Sequence, residues 1–455
     1  MTSPATTRPG WDDAHFTPSN IPYGIASTSS HPGARPVTRL YNNVYFLSDL
    51  ISHNLIGPFP PDTASTLTNE STLNAFAALS TSTHQEVRSA LQKLFLDSPQ
   101  QQAPEQLQPF AHPLQSVTLH LPFQTGDFTD FSCSHDHVLN AGEAATGTRA
   151  LPPAFPYYPI GYSGRTSSIV PSGTPITRPY GAIRASSTTT TGATAPSVVF
   201  VPSRAVDFEL EVAAVISRPT SLGDRVSLAD AEAHIFGLLL LNDWSARDIQ
   251  TLEMPPLGPL NGKSFGTTLS PWVVPMQALE PFRCSGAARR EEGKGAGGGG
   301  VEQPVAYLRS EVGAEALGPH FRIDLQVDLF PGFHEQARQG LGEAVEGVTV
   351  CRSRLDTLAY GFRDLVVHQT VNGCALRTGD LLATGTVSGS EEGSLGCLME
   401  MTKGGKQTLK LGNGEQRVYL EDGDGVRLTG WAGELGTVEC VGFGEAWGVL
   451  LPARE

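Results

Sequence analysis

Three carboxylates stand at alternate positions in Val206-Asp207-Phe208-Glu209-Leu210-Glu211-Val212. Side chains alternate across a strand, so Asp207, Glu209 and Glu211 are expected on one face and Phe208, Leu210 and Val212 on the other. Acids lined up on one face repel each other, and inside a sheet they need cations to balance them. On an edge strand the same pattern would be a solvated acidic face, and both readings stand on this segment alone. A further acid ends the apolar run 235–241 abruptly, at Asn242-Asp243-Trp244. The end of a buried strand is a usual place for a ligating carboxylate. Helical character follows over 245–252, with Arg247 and Gln250 at i and i+3 on one side. A carboxylate, a guanidinium and an amide can then face one site, unless Asp243 and Arg247 merely cap the helix. The loop Gly262-Lys263-Ser264 lacks the first glycine at the spacing of a P-loop. Its lysine either aims an ammonium at a polarised oxygen or lies solvated. A last patch, Thr129-Asp130-Phe131-Ser132-Cys133-Ser134-His135-Asp136-His137, offers acids, two imidazoles and a thiol. His135 and His137 lack a partner set for zinc. A Cys133–His137 nucleophile pair would need a strained turn that the sequence does not show, so Cys133 reads as a buried small residue.

The elements that must hold these groups read as mostly β with some α. Strands are expected at 321–330, 380–389, 408–411, 417–420, 425–430 and 437–442, separated by turns such as Gly412-Asn413-Gly414 and Asp422-Gly423-Asp424. The segment 353–368 reads as a helix capped by Ser353 with Asp356 three residues on, and 227–232 as a helix start capped by Ser227. Residues 1–114 read as a small module of their own. It has short strands over 39–50 with Val44 and Phe46 on one face, and helices at 72–79 and 83–96, the latter burying Val87, Leu91 and Leu94. A Gln/Pro-rich stretch over 98–109 reads as its linker. Residues 115–455 form the larger domain, opening with the alternation Val117, Leu119, Leu121 and interrupted by low-complexity surface inserts at 185–197 and 286–300. Gly293-x-Gly295-x-x-Gly298 in the second insert has no strand before it and no helix after it, so a flexible insert is the better reading than a dinucleotide site.

A chain of 455 residues with 39% hydrophobic content can bury a large core. Its formal net charge of -15 argues against nucleic acid and anionic membrane as partners. Six scattered cysteines without CxxC spacing read as free thiols in a reducing compartment. No secretory signal and no membrane span is read, which makes a soluble cytoplasmic protein the expectation. The sequon Asn69-Glu70-Ser71 then reads as an accident.

Taken together, these segments resemble the fumarylacetoacetase family. The resemblance runs from Asn20-Ile21-Pro22-Tyr23-Gly24 almost to the C-terminus. It is carried by Thr129-Asp130-Phe131, Gly161-Tyr162 with Gly164-Arg165, Ser172-Gly173-Thr174-Pro175, Asp207 through Glu211, His234 through Gln250, Gly262 through Met276, Val371-Asn372-Gly373-Cys374, and Gly385-Thr386 with Ser388-Gly389. It implies a small N-terminal SH3-like β domain, a larger C-terminal β-roll domain, a homodimer, and Ca²⁺ or Mg²⁺ in the site. Asp130, Glu209, Glu211 and Asp243 match the metal carboxylates, and Lys263 and Thr267 match positions near a second cation. An all-oxygen shell suits a hard cation. His137 matches the general base and Glu400 the carboxylate that orients it. Arg247, Gln250 and Lys263 match the groups that stabilise the oxyanion and the leaving carbanion, and Tyr162 and Thr386 match substrate contacts.

The resemblance departs at three substrate positions. The family's Tyr falls at Ser132, its carboxylate-holding Arg at Thr146 with Arg149 nearby, and a second Tyr at Met254. The implied activity is metal-dependent hydrolysis of 4-fumarylacetoacetate to fumarate and acetoacetate, in tyrosine and phenylalanine catabolism. The alternatives are a related hydrolase or decarboxylase acting on another 1,3-diketo or β-keto acid, and a catalytically idle member serving in binding or assembly.

Overall fold

The computed structural model describes residues 13–96, 105–185, 197–286, 304–309, 318–334, 347–412 and 414–455. The cores of both low-complexity inserts, the glycine motif at 293–298, most of the 98–109 stretch and the extreme N-terminus lie outside them.

The N-terminal region forms a five-stranded antiparallel sheet in the order His112–Pro113, Asn43–Phe46, Arg35–Leu40, Tyr23–Ser27, Thr118–His120. Val44 and Phe46 share a face, as the alternation predicts, and pack with Phe16, Val37 and Trp272. Tyr45 points the other way, against helices that include Thr81–Leu96, where Val87, Leu91 and Leu94 are buried on one stripe.

The larger region is built on an eight-stranded mixed sheet. Its main path runs Ile160–Ser163, Phe128–Ser132, Leu381–Ala383, Leu210–Ile216, Ile235–Asp243, Thr267–Leu269, Ile169–Pro171. A second sheet runs Val348–Arg354, Asp324–Phe330, Gly425–Ala432, Val441–Leu451, Ile176–Thr177. The apolar run 235–241 has a simple cause. Leu238 and Leu240 face the second sheet and pack in the same core as Leu325, Val327 and Leu428. Leu239 and Leu241 face the N-terminal region, in one core with Tyr23 and Phe76. A strand covered on both sides has no position for a polar side chain until it ends.

Several sequence expectations fail for local reasons. The acidic segment is not one strand. Val206–Asp207 pairs with Ser245–Ala246 in a separate two-stranded ladder, and the strand of the main sheet starts only at Leu210. The helix expected over 353–368 is instead the end of strand Val348–Arg354, a 3₁₀ turn at Leu355–Thr357 and a helix at Phe362–Thr370. Ser353 is held in register with Leu325, and the helix is capped where Asp364 accepts a 2.8 Å bond from the Gly361 amide. Ser227 and Asp230 bond to each other at 2.6 Å in a turn, ahead of a short 3₁₀ helix at Ala231–His234. The strands expected at 380–389 and 437–442 shrink to Leu381–Ala383 and to the start of Val441–Leu451. Among the described residues, no helix is long and apolar enough to cross a membrane.

Candidate active site

The main sheet brings four acids from three segments to one end. Asp130 lies on Phe128–Ser132, opposite Ala383, which in turn pairs with Ala213, two residues beyond Glu211. Asp243 closes the neighbouring strand, where Asn242 pairs with Leu210. Glu209 lies in the break before that strand, its amide bonded to the Asn242 side chain at 3.1 Å. Asp130, Glu209, Glu211 and Asp243 each offer an oxygen within 4.8 Å of the others. All four are buried, which removes the solvated-face reading. Asp207 is buried too but serves differently. It accepts Arg247 Nε at 2.9 Å and the amides of Leu398 and Met399 at 2.7 and 2.9 Å, anchoring the short helix Leu398–Met401 that carries Glu400.

Two cations answer these acids. Lys263 Nζ donates to Asp243 Oδ2 at 2.8 Å and to Glu209 Oε2. Arg247 Nη1 pairs with Glu209 Oε1 at 2.7 Å and donates to Gln250 Oε1 at 3.2 Å. Arg247 thus belongs to the acid cluster and is no mere helix cap for Asp243. The Lys263 loop lies tight against the helix Arg247–Glu253, because a Cβ at Gly262 would stand 2.7 Å from the Gln250 backbone nitrogen. Thr267 donates to Asp243 Oδ1 at 2.9 Å, and the Tyr162 hydroxyl donates to Asp130 Oδ2 at 2.5 Å. Tyr162, expected at substrate, is therefore also bonded to the acid cluster.

The electrostatics are unbalanced. Burial, then repulsion from the neighbouring acids, holds the Asp130 and Glu211 carboxyls well above the usual carboxylate range. Burial also raises Asp243, though Lys263 opposes it. Glu209 goes the other way: burial would raise it, but Lys263, Arg247 and His137 together hold it below the usual range. Burial would lower Lys263, yet Asp243 and Glu209 keep it firmly charged. Both oxygens of Glu211 and Oδ1 of Asp130 are buried without a hydrogen-bond partner. Buried acid oxygens without donors, in excess over fixed cations, fit a hard divalent cation.

Beside this cluster lies a histidine–carboxylate pair. Ser134 caps the helix His135–Thr146, its hydroxyl accepting the His137 amide at 3.1 Å. His137 Nδ1 lies 2.8 Å from Glu400 Oε2. Glu400 also accepts Asn140 Nδ2 at 2.9 Å and the Ser388 hydroxyl at 2.7 Å, and receives Cys397 Sγ at 3.2 Å. Burial would raise Glu400, but His137, Ser388 and Asn140 outweigh it and hold the carboxyl below its usual value. Asn140 and Ser388 were not singled out by the sequence. Asn140 had a signal, one helical turn from His137; Ser388 had none of its own. His135 lies near Asp136 in a partly exposed pair, apart from this network. Burial pushes the Cys133 thiol well up, in keeping with a packing residue.

The expected substrate positions are less uniform. Thr386 is buried and its hydroxyl has no hydrogen-bond partner. Ser132 ends its strand half-buried. Thr146 is the exposed last residue of its helix, its hydroxyl turned back to the Gly142 carbonyl at 2.8 Å. Met254 follows the helix Arg247–Glu253 and is 45% exposed. Arg149 donates to Asn140 Oδ1 at 2.5 Å and pairs with Glu143.

Known proteins resemble this chain over most of its length. Residues 127–441 match the family described as fumarylacetoacetate (FAA) hydrolase C-terminal, and residues 19–122 match fumarylacetoacetase N-terminal. The chain belongs to the fumarylacetoacetase family. It is 40% identical to the fumarylacetoacetase of Emericella nidulans, over 96% of each chain. Against the fumarylacetoacetases of Bos taurus and Homo sapiens it is 38% and 37% identical, over 97% of each chain. Fumarylacetoacetases are hydrolases that cleave a carbon–carbon bond and depend on a metal, and the buried acid cluster is able to hold one.

Proposed function

We propose that the chain hydrolyses 4-fumarylacetoacetate to fumarate and acetoacetate, as a step of tyrosine and phenylalanine breakdown. The observation that carries this reading is the His137–Glu400 pair set beside four buried carboxylates. Glu400 accepts from Nδ1 of His137 at 2.8 Å, so the proton sits on Nδ1 and Nε2 is left as the base. His137 takes a proton from water as the water oxygen adds to the substrate carbonyl. The carbon–carbon bond then breaks, its electron pair leaving as an enolate that is reprotonated to acetoacetate. Gln250 and Arg247, whose Nη2 is buried without a partner, are suited to receive the oxyanion, with Lys263 adding charge nearby. Mg²⁺ or Ca²⁺ held by Asp130, Glu209, Glu211 and Asp243 would supply positive charge to the departing enolate. Thr267 and Lys263, both on Asp243, are placed to steady that carboxylate. A homodimer in the cytoplasm belongs to the same proposal and rests on the family resemblance.

The deciding assay follows the loss of fumarylacetoacetate absorbance with purified protein, with Mg²⁺, with Ca²⁺ and with chelator. Cation-dependent turnover is expected. Absence of turnover under every cation would overturn the reading.

One set of observations favours a second reading, in which the same chemistry acts on a larger or less anionic 1,3-diketo acid. Thr146 is bonded to its own helix, Arg149 is engaged by Asn140 and Glu143, and Met254 is exposed. The guanidinium among these positions, that of Arg149, is turned to Asn140 and Glu143 through Nη1. Faster turnover of a neutral acylated diketone than of fumarylacetoacetate would select this reading.

A further inference from the structure

A second group of metal-ligating side chains comes together on the N-terminal sheet, outside the active site. His31 lies in the turn between Tyr23–Ser27 and Arg35–Leu40, Asp49 in the helix Leu47–Ser52, and His112 on the edge strand His112–Pro113. Each offers one ligand atom within 4.8 Å of the other two. His31 Nε2 stands 3.3 Å from the Asp49 carboxylate.

The rings are held by their surroundings. His31 stacks on Phe46 with centroids 4.1 Å apart and planes at 13°. His112 meets the same Phe46 edge-on, at 5.2 Å and 87°, and stands edge-on to His31 at 5.4 Å. Phe46 is wholly buried, so both imidazoles rest on a fixed floor. On its far side, His31 Nδ1 reaches Ser30 Oγ at 3.2 Å, while Thr28 Oγ1 accepts the His31 amide at 3.0 Å. These contacts leave Nε2 directed at Asp49, as outer contacts do for a metal-bound imidazole. An ion pair of His31 with Asp49 would need no second imidazole. The third corner at His112 makes the arrangement a ligand set.

We propose that His31, Asp49 and His112 form a second metal site, which takes a borderline divalent ion of the Zn²⁺ class with solvent completing its shell. Two imidazole nitrogens and one carboxylate oxygen select such an ion, whereas the all-oxygen cluster in the active site selects a hard one. All three side chains are half-buried, so an ion can enter from solvent. The ligands come from three segments distant in sequence, so the ion ties turn, helix and edge strand together and stabilises the folded state by linkage.

The test uses the full chain saturated with Mg²⁺, which fills the oxygen site and competes poorly for imidazole. Co²⁺ is then titrated in and followed by visible absorption. One equivalent with a tetrahedral-type band is expected. His112→Asn and Asp49→Asn should each weaken it by about 10-fold or more, while Glu211→Gln and His137→Ala leave it unchanged. Turnover with Mg²⁺ should be the same in His112→Asn as in the parent. No uptake of Co²⁺ by the Mg²⁺-saturated protein, an undiminished band in His112→Asn, or loss of the band in His137→Ala would each overturn the proposal. Cu²⁺ electron paramagnetic resonance on the unmutated chain gives a reading that does not depend on a folded variant. Coupling to two imidazole nitrogens is expected, and coupling to one or none refutes the site.

Discussion

The floor and the rim of the candidate active site are held in opposite ways. On the floor, the paired charges are gripped by residues from other segments of the chain. Glu400 reaches His137 across 263 positions, and Lys263 reaches Glu209 across 54. At the rim, Thr146 bonds to a carbonyl four residues earlier in its own helix, and Met254 is bound to the rest by its backbone amide to Gln250. The floor is therefore set by the whole fold, and a change there has no local remedy. The rim is set by its own short segment and can change while the chemistry behind it persists. The departures read from the family resemblance lie partly there, with Thr146 and Met254 on the rim and Ser132 on the strand that carries Asp130.

Removing the base tests the floor hardest. His137→Ala should lower kcat by roughly 10²–10⁴, the usual worth of a positioned base. Near-full kcat on a verified substrate would mean that the floor does not do the chemistry assigned to it. Next comes cation affinity. Glu209→Gln should weaken Mg²⁺ or Ca²⁺ binding by at least about 10- to 100-fold, with activity falling in step. Calorimetry showing unchanged affinity would separate Glu209 from the metal shell.

The rim is tested by restoration. Thr146→Arg combined with Ser132→Tyr should lower the KM for fumarylacetoacetate by about 10-fold for each contact regained, with kcat little changed. A KM already in the low micromolar range in the parent, rising sharply in Arg149→Ala, would show instead that Arg149 has taken over the lost clamp.

The smallest effect concerns pH and metal removal. Asp130 and Glu211 bind protons more tightly in the fold than in the unfolded chain, where they titrate near 3.8 and 4.5. Metal-free protein should therefore lose stability as pH rises from that range through their raised values, by up to about 1.4 kcal/mol per pH unit for each proton released. Saturating Mg²⁺ should flatten this slope. Glu209 and Glu400 have lowered values, so their contribution is lost only as pH falls below the usual carboxylate range and does not mask the effect. Denaturant midpoints against pH, in chelator and in Mg²⁺, measure it. Equal slopes would remove the acids' excess charge as its cause.

What was legible in the sequence follows the same division. The strand ending at Asp243 could be read because burial on two faces leaves a continuous apolar run. The acidic face was half legible: alternation joins Glu209 and Glu211, but the break at Phe208 that sends Asp207 to the Leu398 amide has no marker in the composition. The helix expected from Ser353 was misread because a serine paired in a sheet looks like a cap when the partner strand is unseen. The partnership of His137 with Glu400 had no spacing to reveal it and came from family resemblance alone. Asn140, one turn along the helix, was readable once His137 was chosen.

The strand Ile235–Asp243 carries one more lesson, for how this protein can be taken apart. Phe236 meets Tyr23 and Phe76 of the N-terminal region at ring distances of 5.9 and 5.7 Å. The same strand delivers Asp243 to the acid cluster. A catalytic half expressed by itself would leave Phe236, Leu239 and Leu241 facing water, an apolar patch of the kind that drives aggregation. The N-terminal region is thus the missing wall of the enzyme's own core, and a substitution at Tyr23 would be felt as a loosened carboxylate at Asp243.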